Sequence, residues 1–443
     1  MILIGNGKVF TRNNEQPYVE DGAILIQGNL IKDIGKTKEL REKYPEAEFK
    51  DAKGRLVMPG FVNTHMHYYS TFARGMFLGG RPSTMFGEVL RNLWWRLDKT
   101  LNLEDVKYSA LIPMIEQIKC GVTTVIDHHA SANAVDGSLF KISEAAKMTG
   151  IRSNLCYEVS DRDGEEIANA GIKENIDFIK YCDNENDDMI RGLFGLHASL
   201  TISDKTLDRC LEGISSLNKG FHVHCAEGIE DVVDSLEKYN QRVIERWYNR
   251  GVLNDKSIAV HCINVTEEEI DMLKESNVSV VHNPESNMGN AVGVTPVLDM
   301  FKKGISVGLG TDGYTADMTE SYKVMNIISK HEKRLPSVGW LESPQMIFNN
   351  NPMIANKFMK NGKVGVLKKG YYADIIIVDY KAPTPLNENN INGHLLFGIS
   401  GRNVDTTIIN GKIVMDERIL TCIDEEKITS KSVELAKKVW SRI

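Results

Sequence analysis

The amino-acid sequence predicts an α/β fold: a (β/α)8 TIM barrel with a small β-sandwich domain formed from both termini. Eight short apolar segments alternate with helical patterns through the middle of the 443-residue chain, and such alternation is typical of a closed parallel barrel. Both ends of the chain instead carry short β-branched runs separated by turn signals. Side chains that bind metals or move protons follow several of the eight segments, and barrel strands end at one shared rim.

The composition is that of an ordinary globular protein, with 42% hydrophobic and 26% charged residues. The formal net charge is −7 and no dense basic block is present, so we expect no nucleic-acid partner and no membrane partner. The first residues, MILIGNGKVF, lack the features of a signal peptide. Seven cysteines are scattered without a C-x-x-C motif, which favours a reducing, cytoplasmic location.

The two ends of the chain are predicted to form the small domain together. Residues 1–57 contain short β-branched runs, and residues 362–443 contain similar runs with a hairpin predicted across Asn410 and Gly411. The barrel domain is then expected to occupy residues 58–361.

Alternating strands and helices are predicted in the middle of the chain. Thr201, Ser203 and Thr266 are expected to be helix N-caps, and two further helices are expected at 318–335 and 343–360. The predicted barrel strands lie at 61–67, 123–129, 152–160, 190–198, 220–227, 257–263, 278–284 and 305–312.

The first predicted strand ends in His65-Met66-His67. Side chains at positions i and i+2 of a strand share a face, so both imidazoles are expected to point into the barrel mouth. This arrangement suits two nitrogen ligands of one zinc ion. The alternative is that both histidines are polar loop residues, because the isolated H-x-H motif is compatible with either role. Candidate ligands at the ends of later strands favour the metal site.

The fifth predicted strand ends in HVHCAE. His224 is nearer the rim and is the better candidate for a metal ligand, whereas His222 lies about 6–7 Å deeper and suits a hydrogen-bonded core position. Glu227, just past the strand end, is expected to reach a substrate above the metal; the alternative is a solvated loop carboxylate.

His261 and Asp312 each end a later apolar strand. A buried carboxylate requires a metal, an arginine or backbone donors as its partner, and a helix N-cap is the main alternative for Asp312. His197 is a candidate substrate contact at the end of the fourth strand. One of His128 and His129 is expected to reach the substrate.

Several catalytic motifs are missing from the sequence. There is no H-E-x-x-H, no P-C-x-x-C, no G-x-S-x-G and no P-loop. The fourth predicted strand, IRGLFGLHA, has no lysine that could bridge two metals. One divalent metal ion per chain is therefore expected, with Zn2+ as the default for such ligands and Fe2+ as the alternative.

Together these motifs resemble the aminohydrolase branch of the amidohydrolase superfamily, which includes guanine deaminase, S-adenosylhomocysteine/methylthioadenosine deaminase and the triazine hydrolases. The resemblance covers nearly the whole chain. The segments that carry it are PGFVNTHMH, CGVTTVIDHH, HASLTIS, HVHCAE, VHC, HNPESNMGNAVGVTP, GLGTDG and KVGVLKKGYYADIIIVD.

The resemblance implies a role for each matching residue. It implies that the metal ligands are His65, His67, His224 and Asp312. Glu227 would shuttle a proton, and His261 would hydrogen-bond the reacting water, whose proton Asp312 would take. The arginines that bind a nucleoside or amino-acid tail in adenosine-type relatives have no secure match, although Arg74, Arg152 and Arg162 are candidates.

Aromatic residues of the first loop, residues 68–101, are candidates for stacking on a planar heterocycle, Phe86 among them. Packing of the loop onto the barrel is the alternative role for Trp94 and Trp95. The expected substrate contacts are thus His197, His129, Arg152 and Phe86.

The expected reaction is hydrolysis of a C–N bond in a purine-like or related nitrogen heterocycle, with release of ammonia, as in purine catabolism. Ring opening of a cyclic amide or amidine would use the same groups. A catalytically inactive scaffold protein is a further alternative. Such a protein would be expected to have lost some metal ligands, whereas all the predicted ligands are present in this sequence. Relatives of this kind also imply a homo-oligomer, a dimer or larger.

Overall fold

The computed structural model describes residues 1–185 and 187–443. Strands and helices alternate through most of this part of the chain. The strands are β1 Ile2–Phe10, β2 Tyr18–Gln27, β3 Leu30–Lys36, β4 Glu48–Asp51, β5 Leu56–Pro59, β6 Phe61–Met66, β7 Val122–His129, β8 Arg152–Tyr157, β9 Ile190–Gly192, β10 Phe194–Leu196, β11 Phe221–Cys225, β12 Ile258–His261, β13 Ser279–His282, β14 Val307–Leu309, β15 Ile375–Val378, β16 Val404–Ile409, β17 Lys412–Asp416 and β18 Ile419–Leu420.

The first helix lies between β3 and β4, and the other helices lie between the barrel strands or after the last of them. They are α1 Thr37–Lys43, α2 Phe86–Val89, α3 Trp95–Thr100, α4 Leu103–Lys119, α5 Ser138–Thr149, α6 Glu165–Asn184, α7 Asp204–Ile214, α8 Ile229–Tyr239, α9 Val243–Asn249, α10 Glu267–Glu275, α11 Pro284–Gly289, α12 Val297–Lys302, α13 Met318–Lys333, α14 Glu342–Gln345, α15 Asn351–Asn356, α16 Ile391–Phe397 and α17 Glu425–Trp440. Shorter 3₁₀ or π turns cover Tyr68–Ala73, Leu90–Trp94, Ser199–Thr201, Met346–Asn350 and Gly401–Asn403.

The middle of the chain folds as the predicted (β/α)8 barrel. Strands β6 to β9 form one parallel sheet and β10 to β14 another. Parallel bridges close both seams, one between Val159 and Leu196 and the other between Met66 and Asp312. Each predicted barrel strand is confirmed, and the fourth is divided at Leu193, whose N–H still donates to the carbonyl oxygen of Leu155.

Helix starts follow the sequence signals with one exception. Ser203 caps α7 and Thr266 caps α10, each by accepting a hydrogen bond from the third residue of its helix. Thr201 is not a cap: it lies in a 3₁₀ turn, and its hydroxyl contacts His197. The helices predicted at 318–335 and 343–360 correspond to α13 and to the α14–α15 segment.

Strands from both ends of the chain form one nine-stranded sheet, in the order β18-β17-β16-β15-β5-β1-β2-β3, with β4 paired to β1. The antiparallel pair β5–β15 joins the two ends, and β16 and β17 form the predicted hairpin across Asn410-Gly411. The predicted β-sandwich is thus one continuous sheet around a shared apolar core. That core includes Ile4, Val9, Ile24, Ile31, Val57, Ile375, Ile377 and Ile408.

The last helix packs on the barrel rather than on this sheet. The Trp440 indole N–H donates to the carbonyl oxygen of Phe72 at 2.7 Å, and Lys119 of α4 pairs with Glu425 at 2.8 Å. The boundaries at residues 57 and 361 stay a prediction. In the described residues, no helix combines the length and apolar character needed to cross a bilayer.

Candidate active site

A pocket opens at the C-terminal ends of the barrel strands. Its floor contains most of the predicted site residues: His67, His197, His224, Glu227, His261 and Asp312. Its wall is formed largely by the loop after β6, which contributes Tyr69, Phe86, Leu90, Trp94 and Trp95. His65 lies beneath the floor and is fully buried. The strands thus supply the polar floor and a single loop supplies much of the apolar wall.

The histidines of the floor are oriented by hydrogen bonds on their outer ring nitrogens. Nδ1 of His67 contacts the carbonyl oxygen of His128 at 2.6 Å, and Nδ1 of His224 contacts that of His197 at 3.0 Å. Because a carbonyl oxygen only accepts, each Nδ1 must carry the proton. The unprotonated Nε2 of both rings then faces the other ring, at an Nε2–Nε2 distance of 3.2 Å.

His65 is held by a chain of buried donors and acceptors. Its Nδ1 lies 2.9 Å from Nε2 of His222, and Nδ1 of His222 lies 3.6 Å from Sγ of Cys156. The Cys156 thiol donates to the carbonyl oxygen of Asp127. All three contacts are satisfied when His65 donates to His222, which leaves Nε2 of His65 as an acceptor. Among the described residues, no hydrogen bond reaches this buried Nε2.

Asp312 completes the cluster from the end of β14. Its Oδ1 lies 3.3 Å from Nε2 of His67 and 3.9 Å from Nε2 of His65. Ligand atoms bound tetrahedrally to zinc at about 2.0–2.1 Å stand about 3.3 Å apart. His65, His67 and Asp312 therefore form one group whose ligand atoms could hold a metal ion, and His65, His224 and His261 form another. A metal ion would also provide the missing partner for His65.

Left-handed backbone accompanies this convergence. Ala226, His261, Cys262 and Asp312 all have positive φ, between 47° and 69°, which costs free energy in residues other than glycine. Gly310 allows β14 to approach β6, because a Cβ there would meet the backbone of His65 and the amide of Asn283. The strand ends are thus strained into the conformation that brings the polar groups together.

Glu227 and His261 form a second group beside the predicted ligands. Oε2 of Glu227 lies 3.4 Å from Nε2 of His261, which is also 3.6 Å from Oδ2 of Asp312. Nδ1 of His261 contacts the amide oxygen of Asn287 at 2.8 Å, so Nε2 again faces the pocket unprotonated. Burial, and then the charge of Asp312, raise the pKa of Glu227 well above its usual value.

The pKa of Asp312 shifts in the opposite direction. Burial opposes its ionisation, whereas positive charge on His67 and His261, present only when those rings are protonated, and the hydrogen bonds from the Ser286 hydroxyl at 2.8 Å and the Gly313 N–H lower its pKa. Helix α13 is capped by Asp317, so Asp312 is not the N-cap considered as its alternative. The floor therefore offers a carboxylate that accepts a proton beside a carboxyl group that retains one.

Two of the predicted substrate contacts line the pocket and two do not. His197 and Phe86 are part of the lining. His129 lies behind it, bonded to the Ser131 hydroxyl at 2.9 Å, because β7 turns its ring away from the mouth. Arg152 begins β8 and so lies at the opposite end of the barrel, where it pairs with Asp374 at 3.1 Å. Neither His129 nor Arg152 therefore lines this pocket.

Sequence reasoning missed other residues of the lining. Glu158 directly follows β8 and lies 3.2 Å from Nδ1 of His128. Tyr69, Arg91 and Tyr314 also line the pocket. For Glu158 the signal was present, since it is an acidic residue at a strand's C-terminal end. The loop residues carry no comparable signal, because loop conformation depends on contacts that are distant in sequence.

A profile of the amidohydrolase family matches residues 56–414. The chain belongs to the amidohydrolase family. It is thus a hydrolase acting on carbon–nitrogen bonds. A profile described as an imidazolonepropionase-like composite domain of bacteria also matches residues 22–47.

Curated relatives match the chain over nearly its whole length. A 5-methylthioadenosine/S-adenosylhomocysteine deaminase of Thermococcus sibiricus is 32% identical over 94% of this chain and 94% of its own. A 5'-deoxyadenosine deaminase of Methanobrevibacter smithii is 31% identical over 93% of this chain and 92% of its own.

Solved structures have the same fold at lower identity. A zinc-bound adenosine deaminase from Xanthomonas campestris superposes with a TM-score of 0.84 at 22% identity, covering 99% of this chain and 98% of the other. Guanine deaminase of E. coli gives 0.80 at 17% identity, covering 94% and 100%. These likenesses support the barrel and its accompanying domain.

Proposed function

We propose that the protein is a metal-dependent aminohydrolase that removes an amino group, as ammonia, from a purine-like or related nitrogen heterocycle. The observation that carries the proposal is the convergence of Glu227, His261 and Asp312 on the metal-type cluster, with inter-residue distances of 3.4 and 3.6 Å. The deaminase relatives make an amino-substituted heterocycle the best-supported substrate class.

One divalent ion, Zn2+ or alternatively Fe2+, would be held by His65, His67, His224 and Asp312, whose donor atoms belong to two overlapping groups that could hold a metal. When bound there, such an ion polarises the substrate and supplies a water molecule of lowered pKa. The pKa of Asp312 is lowered, so its carboxylate is ionised and free to accept the proton of the attacking water. His261 orients that water through Nε2.

Glu227 is the proton donor of the proposed reaction. Its raised pKa keeps a proton on a carboxyl group next to the reacting carbon, and this proton passes to a ring nitrogen as water attacks. The carbon then carries both a hydroxyl and an amino group. Asp312 passes the proton that it took from water to the amino group, which leaves as ammonia, while the hydroxyl proton passes to Glu227 and a carbonyl forms. The ring is then planar again and stacks against the aromatic wall that includes Phe86 and Trp95.

The proposal is tested with purified protein whose zinc content has been measured. A panel of aminopurines and aminopyrimidines is assayed for ammonia and for ultraviolet change in the same samples, with Glu227→Gln as the inactive control. We expect one ammonia for each substrate molecule consumed. Ultraviolet change with retained nitrogen would contradict deamination and support ring opening, and absence of turnover across the panel would contradict the substrate class.

A further inference from the structure

Helix α11, Pro284–Gly289, supplies none of the groups that move protons in the proposed reaction, yet two of its side chains contact such groups. The hydroxyl of Ser286 donates to Oδ2 of Asp312 at 2.8 Å, and the amide oxygen of Asn287 lies 2.8 Å from Nδ1 of His261. Ser286 is 3% exposed and Asn287 is fully buried. One short helix therefore contacts groups from the ends of two different strands, β12 and β14.

The contact from Ser286 distinguishes the two oxygens of Asp312. Oδ1 accepts from the Gly313 N–H at 2.8 Å and is the oxygen 3.3 Å from Nε2 of His67. Oδ2 accepts from Ser286 and lies 3.6 Å from Nε2 of His261. The carboxylate is therefore held with Oδ1 toward a predicted metal ligand and Oδ2 toward a proton-handling group.

The direction of the Ser286 hydrogen bond follows from its two neighbours. An ionised carboxylate only accepts, so the single proton of the Ser286 hydroxyl is directed to Asp312. The hydroxyl oxygen in turn accepts from the amide nitrogen of Asn290 at 3.3 Å, at the end of the same helix. Ser286→Ala would thus remove a donor from Oδ2, whereas Ser286→Thr would keep one.

Asn287 determines which nitrogen of His261 carries the proton. Its amide oxygen accepts, so Nδ1 of His261 donates and Nε2 is left as an acceptor. The hydroxyl of Thr295 supports this arrangement: it donates to the carbonyl oxygen of His261 at 2.7 Å and lies 3.4 Å from the amide nitrogen of Asn287. Because the Thr295 proton is already used, its oxygen is an acceptor for that nitrogen.

We propose that Ser286 and Asn287 are positioning residues, through which helix α11 orients the base oxygen of Asp312 and the acceptor nitrogen of His261 toward one water molecule. Both protons of the attacking water then have an acceptor, and a lone pair of the water is left free to attack the substrate. The opposite tautomer of His261 would instead direct an N–H at that lone pair. This catalytic consequence rests on the proposed function, whereas the orientation of the two side chains does not.

The first measurement needs no substrate. In zinc-loaded protein with isotope-labelled histidine, NMR reports the tautomer of each ring, and the signals of His261 are identified by their absence from His261→Gln. We expect a proton on Nδ1 in the native protein and a change toward the Nε2–H form in Asn287→Leu, which has nearly the shape of asparagine but no acceptor. Asn287→Asp keeps an acceptor and should keep Nδ1 protonated. A native ring protonated only at Nε2, or a tautomer that Asn287→Leu leaves unchanged, would overturn the role of Asn287.

The second measurement is the rate of ammonia release. Ser286→Ala and Asn287→Leu should each lower kcat about 10–100-fold, because each loses a hydrogen bond to a group of the reacting centre, while KM changes less than about twofold. Ser286→Thr should recover most of the activity. Equal losses in Ser286→Ala and Ser286→Thr, or a raised KM with native kcat, would overturn the role of Ser286.

Two substitutions outside the pocket lining are matched controls. Ser109 donates to the carbonyl oxygen of Val106 within α4, and Asn326 of α13 donates to that of Gly339; both side chains are buried. Ser109→Ala and Asn326→Leu should leave the tautomer and kcat unchanged. Metal content and melting temperature are measured for every variant, and metal loss in Ser286→Ala or Asn287→Leu would assign that side chain to metal binding and overturn the proposed role.

Failure of the parent reaction gives a different result. If Asn287 sets the tautomer of His261 but the native protein releases no ammonia from any heterocycle of the panel, deamination is refuted and the positioning role of Asn287 is intact.

Discussion

Nδ1 of His65 lies 2.9 Å from Nε2 of His222, so a histidine of the barrel core holds a ring that faces the predicted metal site. Both residues are fully buried, and the contact fixes which nitrogen of His65 is free to bind. Groups of this kind orient metal ligands and raise their basicity. The two histidines of the HVH motif therefore lie at different depths in the barrel: His224 is at the rim and His222 is beneath it.

We expect His222→Phe to weaken metal binding without abolishing it. Removing the hydrogen-bond partner of His65 leaves the ligand in place but free to change tautomer, and loss of such partners lowers metal affinity about 10–100-fold. Competition with a chelator of known affinity measures the change. His331→Phe, a replacement in the last turn of α13, is the control. An affinity equal to that of the native protein would show that His222 does not position the ligand.

One metal ion per chain is expected in the purified protein. His65→Ala and His224→Ala should each lose it, because three ligands cannot match the native site. Elemental analysis of the native protein and both variants measures the stoichiometry. Two tightly bound ions per native chain would contradict the mononuclear site.

Glu227→Gln should reduce kcat at least about 100-fold with metal content near native, because glutamine keeps the shape but carries no transferable proton. The pKa of Glu227 is raised, and an acid stops donating as pH rises through its pKa. Activity should therefore fall on the alkaline side of the native pH–rate profile. That limb should be missing from the residual activity of the variant. Metal loss in Glu227→Gln would instead make this residue a ligand.

Asp312→Asn should abolish turnover even where metal is retained. The amide oxygen can still coordinate an ion, but the group cannot accept a proton from water. The ionised form is required and the pKa of Asp312 is lowered, so protonation of this group should reduce activity at a pH below the usual range of an aspartate. Turnover is measured with and without added zinc. If Asp312→Asn turned over at a near-native rate with a full metal content, another group would have to accept the proton from water, and His261 would be tested next.

Arg152→Met should destabilise the fold and spare substrate binding. The Arg152 guanidinium forms two hydrogen bonds to Asp374, at 3.1 and 3.2 Å, at the end of the barrel opposite the pocket. Losing one partner of a buried pair costs about 3–5 kcal/mol, because the other charge stays buried. Urea unfolding measures the loss, and Arg152→Met combined with Asp374→Leu should recover part of it. A raised KM with unchanged stability would return Arg152 to the substrate site.

Much of the fold could be predicted from the sequence, because short apolar segments mark the strands and the direction of each strand shows which of its ends faces the pocket. The barrel strands were recognisable as apolar segments, and the period of two in H-x-H placed His65 and His67 on one face. The same logic places Glu158 in the pocket and Arg152 at the far end, since they lie at opposite ends of β8. The expectation for Arg152 rested on residue type and left strand direction out.

The sequence by itself thus determined the barrel, the terminal β-domain and the rim on which His67, His224 and Asp312 meet. Only the tertiary structure shows where the rings of His128 and His129 lie, the first against Glu158 and the second against Ser131. Strand β7 is buried on both faces, so no alternation of polar and apolar residues shows which ring turns inward. Tertiary structure also brings Glu158 beside His128, close to His67 and His224. Such contacts join residues on different strands, which become neighbours only when the barrel closes. The sequence around one strand therefore gives no sign of its partner on the other.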